Sequence, residues 1–365
     1  MKSVPASGQA SVTLKDIAKA AGISITAVSR ALRDMPDIGP ATRKRVKRLA
    51  GKLNYHPHEI ARSLAVGRTK IIGLIVNSLD NPFYGALAEN FAHFAIKAGY
   101  SFLTSHVDPY DPYTTAEKAV RYLDRRNADG IIVGAEPDMS YGALNIRRPM
   151  VAFGAFDKSL FGVFTDRQYG MREAISHLVA LGHTKFGLLC SCRSAPQEGK
   201  QAGFRSALVH HGLPVRPEWI VPGVGTLENG FETTKAFLGN RDFPTVFMYH
   251  NDISALGGLH AIKEAGLRVP EDISVVGFDN IAMGRYISPA LTTIEQPMDI
   301  LAENIVRILL KRIENPEYAE QIIVKPKFIV RGSLGPAPAE TSVRRYSEET
   351  EDAVPKGTVL EPVLS

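Results

Sequence analysis

The sequence predicts two unlike parts, a small all-α headpiece of helix-turn-helix type and a large α/β domain of two lobes, each built on a parallel sheet. Three observations predict this. Residues 1–70 hold fourteen Lys and Arg against four acids, a net of +10, so a chain of net charge +5 carries −5 over the remainder. Within that basic stretch, apolar residues recur at helical spacing on either side of a glycine. From Ile71 the pattern changes to short uninterrupted apolar runs that alternate with amphipathic segments, as expected of parallel strands covered on both faces.

Met1 to Ser11 has one lysine and no apolar core, so it is expected to be a disordered lead-in and not a secretory signal. Thr13 to Ala21 is predicted to be the first helix, with Thr13 at its cap and Asp16 at the third helical position. Leu14, Ile17, Ala18 and Ala21 form one apolar stripe. Gly22 permits a tight turn, and Ser24 caps a second helix running to about Leu32. There Val28, Ala31 and Leu32 can face inward, leaving Ile25, Thr26, Ser29 and Arg30 outward. Such a second helix can enter a major groove. A third helix, Pro40 to Leu53, carries Arg43, Lys44, Arg45, Lys47, Arg48 and Lys52 around Val46 and Leu49. A basic module on an acidic body is the electrostatic footprint of nucleic-acid binding.

In the larger part, strands are expected at Ile71–Val76, Tyr100–Thr104, Gly130–Val133, Val151–Phe153, Phe186–Cys190, Thr245–Tyr249 and Ser274–Phe278. Helices are expected at Tyr84–Lys97, Thr115–Arg126, Gly170–Ala180, Ala202–His211 and Ser254–Glu264. Two successive sheets give two lobes, and ligands bind where strand ends of the two meet. Enzymatic chemistry finds no support. Gly223 and Gly225 lack the third glycine of a dinucleotide loop, no phosphate-binding Gly-Lys-Ser/Thr loop occurs, and no nucleophile elbow is present. The histidines show no metal-ligand spacing, and His183, in a helix-to-strand corner, is expected to be structural. Cys190 and Cys192 are read as reduced, buried thiols, which points to the cytoplasm. No apolar run is long enough to span a bilayer. After Leu334 the chain becomes rich in Pro, Glu, Ser and Thr, so residues 336–365 are expected to be a disordered tail. The tail has no leucine heptad, which favours a homodimer over a tetramer.

The runs Val12-Thr13-Leu14-Lys15-Asp16-Ile17-Ala18, Gly22-Ile23-Ser24, Val28-Ser29-Arg30 and Leu53-Asn54-Tyr55-His56-Pro57, followed by Ala61-Arg62-Ser63-Leu64, resemble the headpiece signature of the lactose-repressor (LacI/GalR) family. The resemblance continues through Asn81-Pro82-Phe83-Tyr84, Asn251-Asp252, Val276-Gly277-Phe278-Asp279-Asn280 and Leu291-Thr292-Thr293-Ile294-Glu295-Gln296-Pro297, covering about residues 12–335. It implies a helix-turn-helix headpiece over 12–57, a hinge helix and linker over 58–70, and a two-lobed, periplasmic-binding-protein-like effector and dimerisation domain over 71–335. The lobes would comprise about 71–165 with 298–325, and 166–295 with 326–335.

By the same resemblance, Ile25, Thr26 and Arg30 would read base edges, while Thr13, Ser24, Ser29, Thr42 and Asn54 would hold the DNA backbone. The hinge, with His58, Ala61 and Leu64, would fold on the operator and wedge Leu64 into the minor groove. The effector pocket would use Phe83 and Tyr84 from the first lobe. From the second it would use Ser194 and Pro196 of one loop, Lys200, Asn251, Asp279 and Gln296. Lys200 stands where the family commonly has Arg, Gly225 where it often has an aromatic, and Gly39 where it usually has a capping Ser. The function implied is a repressor whose grip on a pseudo-palindromic duplex operator is controlled by a small molecule, in the first instance a carbohydrate, with no cofactor or metal. The alternative, a periplasmic solute-binding protein, would have a signal peptide and no headpiece.

Overall fold

The computed structural model describes residues 12–55, 67–107, 113, 115–135, 148–154, 160–190, 199–240 and 242–338. The chain divides after Thr69 into two units, a small one and a large one.

The small unit has three helices, α1 (Leu14–Ala21), α2 (Ile25–Leu32) and α3 (Pro40–Lys52). The Asp16 carboxylate reaches back to accept from both the backbone N–H (2.9 Å) and the hydroxyl (2.7 Å) of Thr13, which fixes the start of α1. Gly22 ends α1 at φ 64°, a left-handed conformation that costs glycine little. Ser24 Oγ accepts from Ala27 N–H at 3.1 Å and starts α2. Gly39 is the N-cap of α3 without a side-chain bond, and Pro40 occupies the first helical turn, where its missing N–H does no harm. The core is formed by Ile17, Ala18, Ala21, Val28, Ala31, Val46 and Ala50, with Leu14, Leu32, Leu49 and Tyr55 packed against it.

The large unit holds two six-stranded sheets. In the first, β1 (Ile71–Val76), β2 (Ser101–His106), β3 (Gly130–Ala135), β4 (Met150–Gly154) and β5 (Gly162–Thr165) are joined by β11 (Gln321–Val324), in the order β11-β5-β4-β3-β1-β2. Every neighbouring pair is parallel. The second sheet contains β6 (Phe186–Leu189), β7 (Ile220–Val221), β8 (Val246–Tyr249), β9 (Ser274–Phe278), β10 (Thr292–Glu295) and β12 (Lys327–Ile329), in the order β12-β10-β9-β8-β6-β7. One refinement of the sequence expectation appears here, since β12 runs antiparallel to β10. The chain leaves this sheet along β10 and returns along β12, so the two must point oppositely.

Helices cover the sheets. In the first lobe α4 (Pro82–Lys97) and α10 (Met298–Glu314) bury Phe83, Leu87, Phe91, Leu301, Ile305 and Ile308 against strand residues such as Ile72, Leu74 and Ile132. The other face carries α5 (Ala116–Arg125), through Ala119, Val120 and Leu123. In the second lobe α6 (Arg167–Ala180) and α7 (Gly199–His210) lie on one core, and α8 (Leu227–Leu238) and α9 (Asp252–Glu264) on the other. The last two helices touch backbone to backbone: a Cβ at Gly257 would stand 1.9 Å from the Leu227 carbonyl oxygen, and one at Gly230 would stand 2.1 Å from that of Ser254.

The chain crosses between the sheets after β5, after β10 and between β11 and β12. The first and third crossings are hydrogen-bonded to each other, Asp166 N–H donating to the Val324 carbonyl at 2.8 Å. Among the described residues no helix is long and apolar enough to cross a membrane.

Candidate functional site

On the headpiece, α2 turns Val28 and Ala31 into the core and leaves Ile25 and Thr26 exposed, with Ser29 and Arg30 half-buried on the same side. An exposed isoleucine at the first helical position is of no use to the core. Together with Lys15, Lys19 and Ser24 it lines a shallow depression where α1 meets α2. Arg30 Nη2 lies 2.8 Å from Asp37 Oδ2. Thr13 and Ser24 both spend their side chains on helix starts. Thr42 is half-buried in the first turn of α3, and Asn54 follows α3 exposed at φ 51°. The basic side chains of α3 are not all directed outward. Arg45 donates to the Ala21 carbonyl at the end of α1, Arg43 to the Asp34 carbonyl, and Lys47 pairs with the Asp34 carboxylate. Part of the charge that sequence reading assigns to the footprint therefore holds the three helices together. His58, Ala61 and Leu64 lie outside the described residues, as do Ser194, Pro196 and Cys192.

In the large unit, parallel strands deliver candidate side chains to one end of the second sheet. Asn251 follows β8 and caps α9, its Oδ1 accepting from Ser254 N–H at 2.9 Å and its amide donating to the Gly225 carbonyl at 2.9 Å. Asp279 follows β9 at φ 110°, and Gln296 follows β10. Lys200 lies in the first turn of α7, where its ammonium donates to the His250 carbonyl and stands 3.7 Å from the centre of the Phe278 ring. On the first lobe, Phe83 and Tyr84 open α4 just after β1. Asn81 Oδ1 accepts from Phe83 N–H at 3.0 Å, and the two rings meet edge to face at 5.3 Å. Phe83 is buried in the first-lobe core, whereas Tyr84 is only partly covered.

The strand ends are linked by a relay that sequence reading did not anticipate. Thr165, the last residue of β5, donates its hydroxyl to Gln296 Oε1 at 2.7 Å, and Gln296 Nε2 donates to Asp279 Oδ1 at 2.7 Å. All three are buried. The relay ties the first crossing to the second and ends on a carboxylate at the strand ends. Beneath it lies Asp252, fully buried, which accepts from Ile281 N–H at 2.8 Å and from the Thr293 hydroxyl at 2.5 Å. Burial, then the neighbouring Asp279 charge, push the Asp252 carboxyl up to about 7. Burial, with Lys200 and Arg167 beside it, holds His250 well below the usual imidazole range. The Asn-Asp and Thr-Thr-Ile-Glu-Gln-Pro motifs are visible in the sequence, but the pairing of their side chains is not.

His183 is structural, as expected. Its Nε2 faces the Gly335 carbonyl at 3.0 Å and its Nδ1 the Thr245 hydroxyl at 3.0 Å, and burial lowers its pKa. Cys190 is buried just beyond β6, its sulfur accepting from Gln201 Nε2 at 3.0 Å.

A helix-turn-helix unit joined to two sheets whose strand ends carry a buried polar relay defines a ligand-responsive DNA-binding regulator. The comparisons with known proteins agree. Residues 13–58 match the model of bacterial regulatory proteins of the lacI family, and residues 175–334 match that of the periplasmic binding protein-like domain. The HTH-type transcriptional repressor PurR of Erwinia tasmaniensis is 34% identical over 340 residues, covering 89% of this chain and 98% of that protein. The probable HTH-type transcriptional repressor ExuR of Bacillus subtilis is 33% identical over 337 residues, covering 88% and 98%. Among solved structures, the lac repressor dimer bound to operator and the anti-inducer ONPF superimposes with a TM-score of 0.80 at 28% identity, covering 89% of this chain and all of that one. A LacI family regulator from Enterococcus faecium with bound ribose gives 0.62 at 28% identity, over 73% and 99%. The chain belongs to the LacI family of transcriptional regulators.

Proposed function

We propose that this chain is a cytoplasmic repressor, without catalytic activity, that binds a pseudo-palindromic duplex operator as a homodimer and changes its grip when a carbohydrate enters the second-lobe strand-end site. Ile25, Thr26 and Arg30 read base edges in each half-site, and Thr13, Ser24, Ser29, Thr42 and Asn54 hold the backbone. In the sensor, Asp279 and Gln296 accept and donate to ligand hydroxyls, with Asn251 and Lys200 at the neighbouring strand ends and Phe83 and Tyr84 contributing from the first lobe. Repressor names among the relatives, operator in the lac repressor complex and ribose in the Enterococcus faecium regulator support this reading.

The observation that carries it is the Thr165–Gln296–Asp279 relay. A ligand hydroxyl that engages Asp279 competes for the oxygen now held by Gln296, and so disturbs the bond that pins the first crossing. A ligand alters the lobe equilibrium only through such a difference in its contacts, and the effect on DNA is reciprocal.

The test starts from a duplex selected out of a random pool by the full chain. Its affinity is then titrated with and without monosaccharides, disaccharides, sugar acids and purines, alongside melting curves. One sugar should shift both the melting point and the duplex affinity. A purine that does so while every sugar fails would replace the carbohydrate assignment, and an Arg30→Ala chain that still prefers the selected duplex over random DNA would remove Arg30 from base reading.

A further inference from the structure

Arg30 meets a partner of its own chain. Its Nη2 lies 2.8 Å from Asp37 Oδ2 in an ion pair, with the two side chains 42% and 45% exposed. Asp37 belongs to the short segment between α2 and α3. That segment folds back on α2, since Met35 N–H donates to the Arg30 carbonyl at 3.1 Å and Ile38 N–H to the Met35 carbonyl at 3.1 Å. The other carboxylate of the segment, Asp34, is committed differently. Its Oδ2 accepts from Lys47 at 2.6 Å and its carbonyl from Arg43 at 3.2 Å, so it is tied to α3.

An ion pair as exposed as Arg30–Asp37 adds little to stability. A carboxylate beside a helix that must meet phosphates is also electrostatically adverse for DNA binding in general. The position makes sense for discrimination. The pair engages one guanidinium nitrogen and one carboxylate oxygen, while Arg30 Nε is buried without a hydrogen-bond partner, so the group can present only its terminal nitrogens to an acceptor such as the guanine edge. An unrestrained arginine loses about two- to tenfold in affinity when it is ordered on binding, and it pairs with any phosphate within reach.

We propose that Asp37 is a specificity-determining positioning residue: it holds the Arg30 guanidinium in register on the reading helix and disfavours its capture by phosphate, so that the charge is delivered to a base edge. The proposal rests on Arg30 being a base reader. Asp37 lowers affinity for random DNA, leaves cognate affinity intact, and widens the ratio between them.

The experiment uses the full chain, a duplex selected from a random pool by the parent protein, and a random duplex of equal length. Asp37→Asn should bind the random duplex about three- to tenfold more tightly and the selected duplex no more tightly, so the ratio falls by the same factor. Asp34→Asn removes a carboxylate from the same segment and should move both affinities together, leaving the ratio unchanged. In an Arg30→Ala background, Asp37→Asn should leave the ratio where Arg30→Ala alone puts it. If Asp37→Asn tightens both duplexes equally, Asp37 is only a nearby charge and the proposal is overturned. Loss of both affinities with faster amide exchange in α2 would make it a structural residue and overturn it too. If Arg30→Ala alone leaves the ratio unchanged, the base-reading assignment fails first, and that result is distinguishable from the other two.

Discussion

The headpiece and the second lobe carry their candidate residues in opposite ways. On α2 the core side chains Val28 and Ala31 and the exposed Ile25 and Thr26 lie on different faces of one short helix, so folding and recognition use different atoms. At the strand ends of the second lobe, Asp279, Gln296 and Asn251 are buried and bonded to each other, to Thr165 or to backbone. A helix face is exposed by geometry, whereas the mouth of a parallel sheet is a concave place where polar groups must be satisfied before a ligand arrives. The lesson is that mutational phenotypes should separate cleanly in the first region and mix in the second.

The largest expected effect tests the lobe as a packed object. Gly257→Val puts a branched side chain where a single Cβ already falls 1.9 Å from the Leu227 carbonyl. It should cost more than about 3 kcal/mol, at or beyond the upper end for overpacking, and remove effector response and cooperative melting of the large unit together. A Gly257→Val chain with an unaltered melting curve would show that the α8–α9 contact yields more easily than its geometry suggests.

Asp279→Asn probes whether a buried residue can still be separated into fold and function. Asparagine keeps an acceptor for Gln296 Nε2 and tolerates the positive φ of this position. The melting point should therefore hold, while effector affinity falls by about 1.5–3 kcal/mol, the range for a hydrogen bond to a charged group. Early melting together with lost operator binding would place Asp279 with Gly257, as structure first.

A smaller effect is read against pH. Asp252 has an ordinary value of 3.8 and stands near 7 when folded. Between those values the folded chain holds a proton that the unfolded chain has released, so its contribution is full at low pH and is lost as pH rises towards 7. His183 and His250, both lowered from 6.5, act in the opposite sense below 6.5. Glu320, held at about 2 by the Arg307 guanidinium and the Tyr318 hydroxyl, loses its contribution only as pH falls below 4.5. The informative quantity is thus a difference. Asp252→Asn should gain stability relative to the parent between pH 5 and about 7, and parallel melting-point profiles would exclude Asp252 as the source.

The smallest effect lies where the headpiece breaks its own rule. Ser24 is a candidate backbone contact, yet its Oγ already caps α2 through Ala27 N–H. Ser24→Ala should weaken the headpiece by about 1 kcal/mol and speed exchange of the Ala27 amide. Unchanged exchange would return Ser24 wholly to the DNA.

These contrasts also explain what could be read from the sequence. Ile71–Val76 and Ser274–Phe278 are strands with the bounds expected, because uninterrupted runs rich in Ile and Val leave little else to do. The headpiece was legible throughout, since caps, turn glycine and apolar stripe are all local signals. β5, β7 and β10 to β12 were not, being two to four residues long and defined by their neighbours in the sheet. α10 has a helical period in Leu301, Ile305 and Ile308, but nothing local says that it covers strands far upstream. The candidate residues at the strand ends were recognisable by motif. The Thr165–Gln296 bond and the Arg30–Asp37 pair were not, because each depends on where two backbones meet.

The late position of α10 and β11 has a consequence for how the protein is made. The first lobe lacks its covering helix and an edge strand until the whole second lobe has left the ribosome, because residues 298–324 follow β10 in the chain. The headpiece, whose contacts are local, can fold as soon as it emerges, while β3 to β5 must wait with Ile132, Val151 and Val163 uncovered by α10. A nascent chain halted before Met298 would therefore display a finished DNA-reading unit attached to an open apolar sheet, a form suited to chaperone capture and unable to complete its first lobe.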